Sequence, residues 1–418
     1  MSEKSGTEKN TLAPITLPQG VKKVMSRFSE NNAEAYLVGG CVRDYILGRK
    51  TEDFDITTSL TPENVKNLFS DMRVLETGIK HGTVTVISEG LPIEITTYRV
   101  DGNYADNRHP TEVLFSKSLL EDLKRRDFTI NTICYSEEVG ILDYFDGIND
   151  IKNKKIKTVG DPKKRFKEDA LRILRGIRFA SVLGFSIEKE TKEAIFALSY
   201  LAKNVSAERI FTELKKLLLS DFAEAALEEY FPALKAAILP LSKVEKEKID
   251  FSAVSKVEKD LPLRLAAFVI SFGGDEAFAK ELLEHLKCDN KTKNTVFLLI
   301  NNFNRKAPKT KFDIKFILNK ATKKDLLNII SLLYLFEKIT REEKRELENF
   351  LKEIIENEEC YNLKALNISG EELLKLGVRD KQVGEILNRL LTSVMADEIE
   401  NTKSELEEKA QNILGGGF

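Results

Sequence analysis

Two aspartates one residue apart, Asp53 and Asp55, are the side chains of this sequence best suited to chemistry. Residues 51–56 read as a strand, where side chains two apart share a face, so both carboxylates point the same way. Such a pair packs poorly but suits hard divalent cations, which take oxygen ligands. Nucleotidyl transfer needs anions of this kind to hold Mg2+, one ion activating the attacking hydroxyl and one steadying the leaving pyrophosphate. The pair closes the segment LVGGCVRDYILGRKTEDFD, residues 37–55. Gly39 and Gly40 lack side chains, so a phosphate chain can approach their amides closely. Together these features point to chemistry on a nucleoside triphosphate.

Other charged residues extend the candidate site. Glu94, between Ile93 and Ile95, takes the opposite strand face from them; it is read either as a third metal-facing carboxylate or as a solvent-facing strand glutamate. Arg43 offers its donor fork to a triphosphate and Asp44 holds the turn, with a purely structural Arg-Asp pair as the plainer alternative. In LKRRDFTIN, Arg126 and Asp127 suit a phosphate and a ribose hydroxyl, and Asn131 a further polar contact or a cap on local backbone. Residues 165–178 read as one helix on which Asp169 and Arg172 share a face, so that a carboxylate and a guanidinium together can read the edge of a base. The bland reading of that pair is a helix salt bridge. Glu168 fits this face less well and is read as orienting Arg172 or as lining the helical segment. Arg175 and Arg178 complete the nucleotide-binding candidates. The segment 98–110 is dense in Gly, Asn and Asp and reads as a mobile loop, whose Arg99, Asp101, Asp106 and Arg108 would gate closure.

The elements that must position these residues fall into two classes. Strands are expected at 35–38, 54–57, 83–87, 93–98 and 129–135, with a helix at 62–69, giving an N-terminal domain with a mixed sheet. After about residue 165 helical spacing dominates and alternating patterns nearly vanish. A chain of 418 residues exceeds one ordinary core. Its 42% hydrophobic and 32% charged content is that of a soluble protein, and no apolar run approaches membrane-spanning length. With a polar N-terminus that carries no signal-peptide core, the cytoplasm is the expected compartment. Four scattered cysteines and three histidines offer neither a zinc site nor a disulfide framework. The net charge is -2, yet residues 152–178 carry 11 Lys or Arg against three acidic residues, a net of +8 and a footprint for phosphates.

These motifs resemble the class II tRNA nucleotidyltransferase / poly(A) polymerase family, most closely its bacterial CCA-adding members. The likeness runs from about residue 33 to 215 and includes HGTV, RRDFTIN, EDALRILRGIRFA and AERIFTELKKLL. It implies an α+β protein, with a polymerase-beta-like head of mixed sheet followed by an all-α neck, body and tail. The expected bounds are a loose tail at 1–20, head 21–150, neck 151–215, body 216–335 and tail 336–418. It also implies that Asp53 and Asp55 hold a two-metal Mg2+ centre and that Gly39, Gly40, Arg43 and Asp44 handle the triphosphate. By the same likeness Arg126 and Asp127 meet the ribose, and Glu168, Asp169 and Arg172 select the base. The substrates would be CTP, ATP and a tRNA held at its acceptor end and elbow, by a monomer or homodimer. No motif marks the body, and residues 368–391 match the tail only modestly. Rival readings are a poly(A) polymerase, a CC-adding or A-adding enzyme of a split pathway, and an inactive RNA-binding protein.

Overall fold

The computed structural model describes residues 15–76, 78–101, 113–245 and 247–415. The chain divides into two compact units, residues 1–245 and 246–418. The first is built on seven strands: β1 (Ala35–Val38), β2 (Phe54–Thr58), β3 (Arg73–Leu75), β4 (Thr83–Ser88) and β5 (Leu91–Thr97), with the later pair Cys134–Ser136 and Gly140–Leu142. A hairpin of β6 (Arg99–Asp101) and β7 (Val113–Phe115) stands apart from this sheet, so the later pair are β8 and β9. The order is β3-β4-β5-β2-β1-β8-β9. Within this sheet only β2 and β5 run parallel and the other pairings are antiparallel, so it is mixed.

Alternation explains which face is which. Ile56, Ile93, Ile95, Val84 and Val86 are all buried, while Asp55 is half-buried and Glu94 exposed. Burying five branched side chains on one side sets the register, because a slip of one residue would put both carboxylates into the core. Helix α1 (Gln19–Glu30) buries Val21, Val24, Met25 and Phe28, and Phe28 meets Phe69 edge to face at 5.4 Å between ring centroids. The short α2 (Gly40–Ile46) leaves β1 directly. Thr61 caps α3 (Pro62–Leu68), accepting from the Asn64 amide, and Pro62 fits its first turn.

Helices α4 (Leu119–Lys124), α5 (Gly147–Lys152), α6 (Pro162–Glu168), α7 (Leu171–Leu183), α8 (Lys189–Leu198), α9 (Ala207–Leu218) and α10 (Ala223–Ala237) complete the first unit. Every described element of the second unit is a helix, from Ser252–Lys256 to Lys403–Gly415. Four of its helices begin at a Thr or Ser capping box: Thr310 with Asp313, Thr322 with Asp325, Thr340 with Glu343, and Ser369 with Glu372. Among the described residues no helix is long and apolar enough to cross a membrane.

Four local expectations need correction. Residues 129–135 are not one strand: Thr129–Asn131 forms a 3-10 turn and only Cys134–Ser136 pairs. The Thr129 hydroxyl donates to Asp150 at 2.6 Å, and the Asn131 and Thr132 amides donate back to Phe128 and Thr129, which bends the chain out of the sheet. The strand after Lys50 starts at Phe54, so Asp53 precedes it. Residues 165–178 are two helices broken at Asp169, whose backbone is extended (φ -140°, ψ 105°). Finally, Arg99 and Asp101 belong to a paired strand; Asp106 and Arg108 lie outside the described residues.

Candidate active site

Parallel pairing of β2 with β5 sets Asp55 directly opposite Glu94, on the face away from the buried isoleucines. Asp53 stands at the entrance of β2 and is exposed. Burial pushes the Asp55 carboxyl up to about 6; Arg126 opposes this, and the negative charges of Glu94 and Asp53 reinforce it. Gly39 turns above this face with φ +82°, a conformation that favours glycine. A side chain there would project to 3.6 Å from Arg126 Nη1 and 3.8 Å from Asp55 Oδ2, so the turn, the arginine and the aspartate share one small space.

Arg126 is held from behind. Asp122, fully buried on α4, accepts from Arg126 Nη2 at 3.3 Å, from Arg125 Nη2 at 2.7 Å and from the Thr57 hydroxyl at 3.2 Å. Burial alone would raise the Asp122 carboxyl, but Arg126 and Arg125 outweigh it and hold it below the ordinary range. One carboxylate thus ties the Arg-Arg-Asp segment to the strand that bears Asp55. Sequence reasoning missed Asp122, although its i,i+3 and i,i+4 spacing to two arginines is a signal.

Arg43 is buried, and its fork is turned inward. Nε and Nη2 donate to the Asp44 carboxylate, both at 2.9 Å, and Nη1 to Asn131 Oδ1 at 2.7 Å. The structural Arg-Asp pair is therefore present. Asn131 in turn donates to Asp127 Oδ1 at 3.1 Å, where the Phe128 amide also donates at 2.8 Å. Asp127 Oδ2 takes Arg175 Nε at 2.7 Å and Nη2 at 2.6 Å. Burial works to raise the Asp127 carboxyl, but Arg175 and these hydrogen bonds hold it well below the ordinary range. Arg178 pairs with buried Glu213 on α9 at 2.9 Å. The guanidiniums of Arg43, Arg175 and Arg178 gather on one buried ring, Phe179, at 5.2, 5.4 and 3.6 Å from its centroid.

The base-reading candidates lie at the break between α6 and α7. Asp161 caps α6 by accepting from the Lys163 amide, and Pro162 occupies its first turn. Glu168, at its end, pairs with Arg165 at 3.0 Å and with Arg172 Nη1 at 2.8 Å. Arg172 also donates to the carbonyls of Arg165 at 3.0 Å and Arg125 at 2.8 Å, so its guanidinium is held by Glu168 and two backbone oxygens. Asp169 does not pair with Arg172 along a helix face. It meets Arg209 of α9 at 2.9 Å, a residue the motif gave no reason to choose. Cys41 is a packed thiol, its Sγ 3.4 Å from the Val38 carbonyl.

A mixed sheet of this order followed by helices has the architecture of a polymerase-beta-like nucleotidyltransferase. Residues 35–157 match the "Poly A polymerase head domain" family, residues 184–231 the "Probable RNA and SrmB-binding site of polymerase A", and residues 262–410 tRNA nucleotidyltransferase domain 2. The chain is 35% identical over 408 residues to the CCA-adding enzyme of Leuconostoc mesenteroides, covering 95% of this chain and 98% of that one. It is 34% identical over 385 residues to the CCA-adding enzyme of Bacillus cytotoxicus, covering 91% and 94%. The crystal structure of Bacillus stearothermophilus CCA-adding enzyme in complex with CTP has the same fold, with a TM-score of 0.81 and 28% identity over 95% of this chain and 98% of that one. The chain belongs to the bacterial CCA-adding enzymes, which are class II tRNA nucleotidyltransferases.

Proposed function

We propose that this chain adds C, C and A in turn to the 3′ end of tRNA, using CTP and ATP without a nucleic-acid template, and that the reaction takes place on the β2–β5 carboxylate face. The tRNA 3′-hydroxyl oxygen bonds to the α-phosphorus, the bond from that phosphorus to pyrophosphate breaks and pyrophosphate leaves, and the hydroxyl proton passes to water. The observation that carries this reading is the register of Asp55 against Glu94, with Asp53 adjoining.

This donor set fits Mg2+. Asp55 and Glu94 stand opposite each other in register with Asp53 adjoining, and Arg126 is their nearby cation; burial raises the Asp55 carboxyl, and the charges of Glu94 and Asp53 add to it. Asp53 and Asp55 would hold the metal, with Glu94 beside them; the metal supplies charge neutralisation at the phosphates and acidifies the hydroxyl. The protein's own groups do the placing. Gly39 and Gly40 admit the triphosphate close to the backbone, and Arg43 with Asp44 braces their turn. Both oxygens of Asp127 carry donors, so its part at the sugar is to hold Arg175 and Asn131, with Arg126 on the phosphate side. Asp169 and Arg172 read the base, and Glu168 sets Arg172.

The head (21–150) carries this chemistry and the neck (151–215) the base selection, while the body (216–335) and tail (336–418) serve tRNA binding. The basic stretch 152–178 steers the acceptor end, so binding weakens with salt. The deciding experiment is incubation with Mg2+ and a tRNA lacking its last three nucleotides, with CTP and ATP supplied separately and together. Two C and one A followed by a halt is the expected product. A stop after CC, or a long A ladder, would overturn the reading in favour of a split pathway or a poly(A) polymerase.

A further inference from the structure

Asp169 divides its two oxygens between different tasks. Oδ1 accepts from the Leu171 amide at 3.1 Å and is committed to starting α7. Oδ2 accepts from Arg209 Nη2 at 2.9 Å, a residue forty positions later in the first turn of α9. Neither side chain is sealed: Asp169 is 19% and Arg209 32% exposed. A ligand reaching Asp169 therefore meets Oδ2 and this guanidinium together. Glu168 faces elsewhere, toward Arg165 and Arg172.

We propose that Arg209 is a positioning residue for nucleotide choice, fixing the Asp169 carboxylate so that Oδ2 meets the incoming base in one orientation. This rests on the reading of Asp169 and Arg172 as the base-selecting pair. On the Watson–Crick edge, cytosine and adenine place an amino donor beside a ring-nitrogen acceptor, whereas uracil and guanine place a carbonyl beside a ring N–H. A carboxylate only accepts and a guanidinium only donates, so the pair favours the first two bases as long as each group keeps its place. An ionised carboxylate oxygen has two lone-pair sites, so Oδ2 can keep Arg209 and still take the amino group. Without Arg209 the carboxylate is tethered by one backbone amide alone and turns about its broad terminal torsion. Discrimination is then lost ahead of rate.

The test compares kcat/KM for CTP, UTP, ATP and GTP on tRNA lacking its terminal nucleotides. Arg209→Met keeps the aliphatic stem and removes the fork; Arg209→Lys returns the charge. Arg209→Met is expected to lower the CTP:UTP and ATP:GTP ratios by about 10- to 100-fold, mainly through KM, and Arg209→Lys to recover part of the loss. Equal losses for all four triphosphates, or unchanged ratios, would overturn the proposal. If Arg209→Met does not fold, Arg209→Lys alone carries the same test, since a shorter monodentate cation also loosens the carboxylate. Asp169→Asn, measured in parallel, separates the two levels. Unchanged ratios in that variant defeat the base-reading assignment itself, while looser ratios there with intact ones in Arg209→Met defeat only the role of Arg209.

Discussion

The β2–β5 face and the α6–α7 junction are both rich in charge, and they handle it in opposite ways. On the strand face Asp55 lies opposite Glu94 with Asp53 adjoining and Arg126 as the countercharge, and burial, helped by the two neighbouring carboxylates, lifts the Asp55 carboxyl to about 6. Around α6, α7 and α9 four carboxylates are paired with arginines: Glu168 with Arg165 and Arg172, Asp169 with Arg209, Asp127 with Arg175, and Glu213 with Arg178. The lesson concerns what each region is built to receive. Excess like charge is costly until a cation arrives, so it suits a metal and phosphates. Matched pairs resist rearrangement and fix directions, which suits reading hydrogen-bond patterns.

Removing charge should therefore have opposite consequences in the two places. Asp53→Ala or Asp55→Ala is expected to cut transfer of every nucleotide by about 10³-fold or more while leaving the melting temperature unchanged or raised. Single-turnover C addition with Mg2+, alongside a thermal melt, checks both halves; normal turnover in either variant would end the catalytic assignment. Asp122→Ala reverses the pattern, because it leaves Arg125 and Arg126 without their buried partner. Urea titration should show a loss of about 3–5 kcal/mol, and a loss near zero would mean these arginines find water or other partners.

Asp127 tests the paired region through pH. Its folded carboxyl lies below the ordinary value of 3.8, so its ionised form contributes stability that is complete above that value and is lost as pH falls through the folded one. Asp127→Asn should cost about 1–3 kcal/mol at neutral pH, with the gap to the parent closing as the medium is acidified below the ordinary value. A gap independent of pH would show that packing, not charge, holds this aspartate. The smallest effect is expected at Glu94. Glu94→Gln should raise the Mg2+ needed for half-maximal rate by about tenfold, and an unchanged requirement would make it a solvent-facing strand residue after all.

Much of this was legible along the chain. The strands at 35–38, 54–58 and 83–88 follow alternation and β-branching, and the change to helical spacing beyond residue 165 marks the helical remainder. The motif residues were legible too, because Gly-Gly, Asp-x-Asp and Arg-Arg-Asp are local patterns. What misled was local pattern that a distant partner overrides. Thr129 to Tyr135 has the composition of a strand, yet a hydroxyl bond to Asp150 and backbone turns bend its first half into a 3-10 turn. Residues 165–178 have helical spacing, yet Asp169 turns extended between two helices, accepts from the first amide of the second and answers to Arg209. The second unit carried no legible motif over much of its length, although residues 262–410 match a tRNA nucleotidyltransferase domain.

The sequence by itself determined the sheet's two faces, the carboxylates that gather on one of them and the helical character of the rest. Those follow from periods of two and 3.6 residues, which neighbouring positions alone specify. Tertiary structure alone decided which charges stay unbalanced. Asp127 answers to Arg175, Asp169 to Arg209 and Glu213 to Arg178, across 48, 40 and 35 residues. Such pairings depend on how strands and helices meet in space, and a side chain's charge carries no record of its partner.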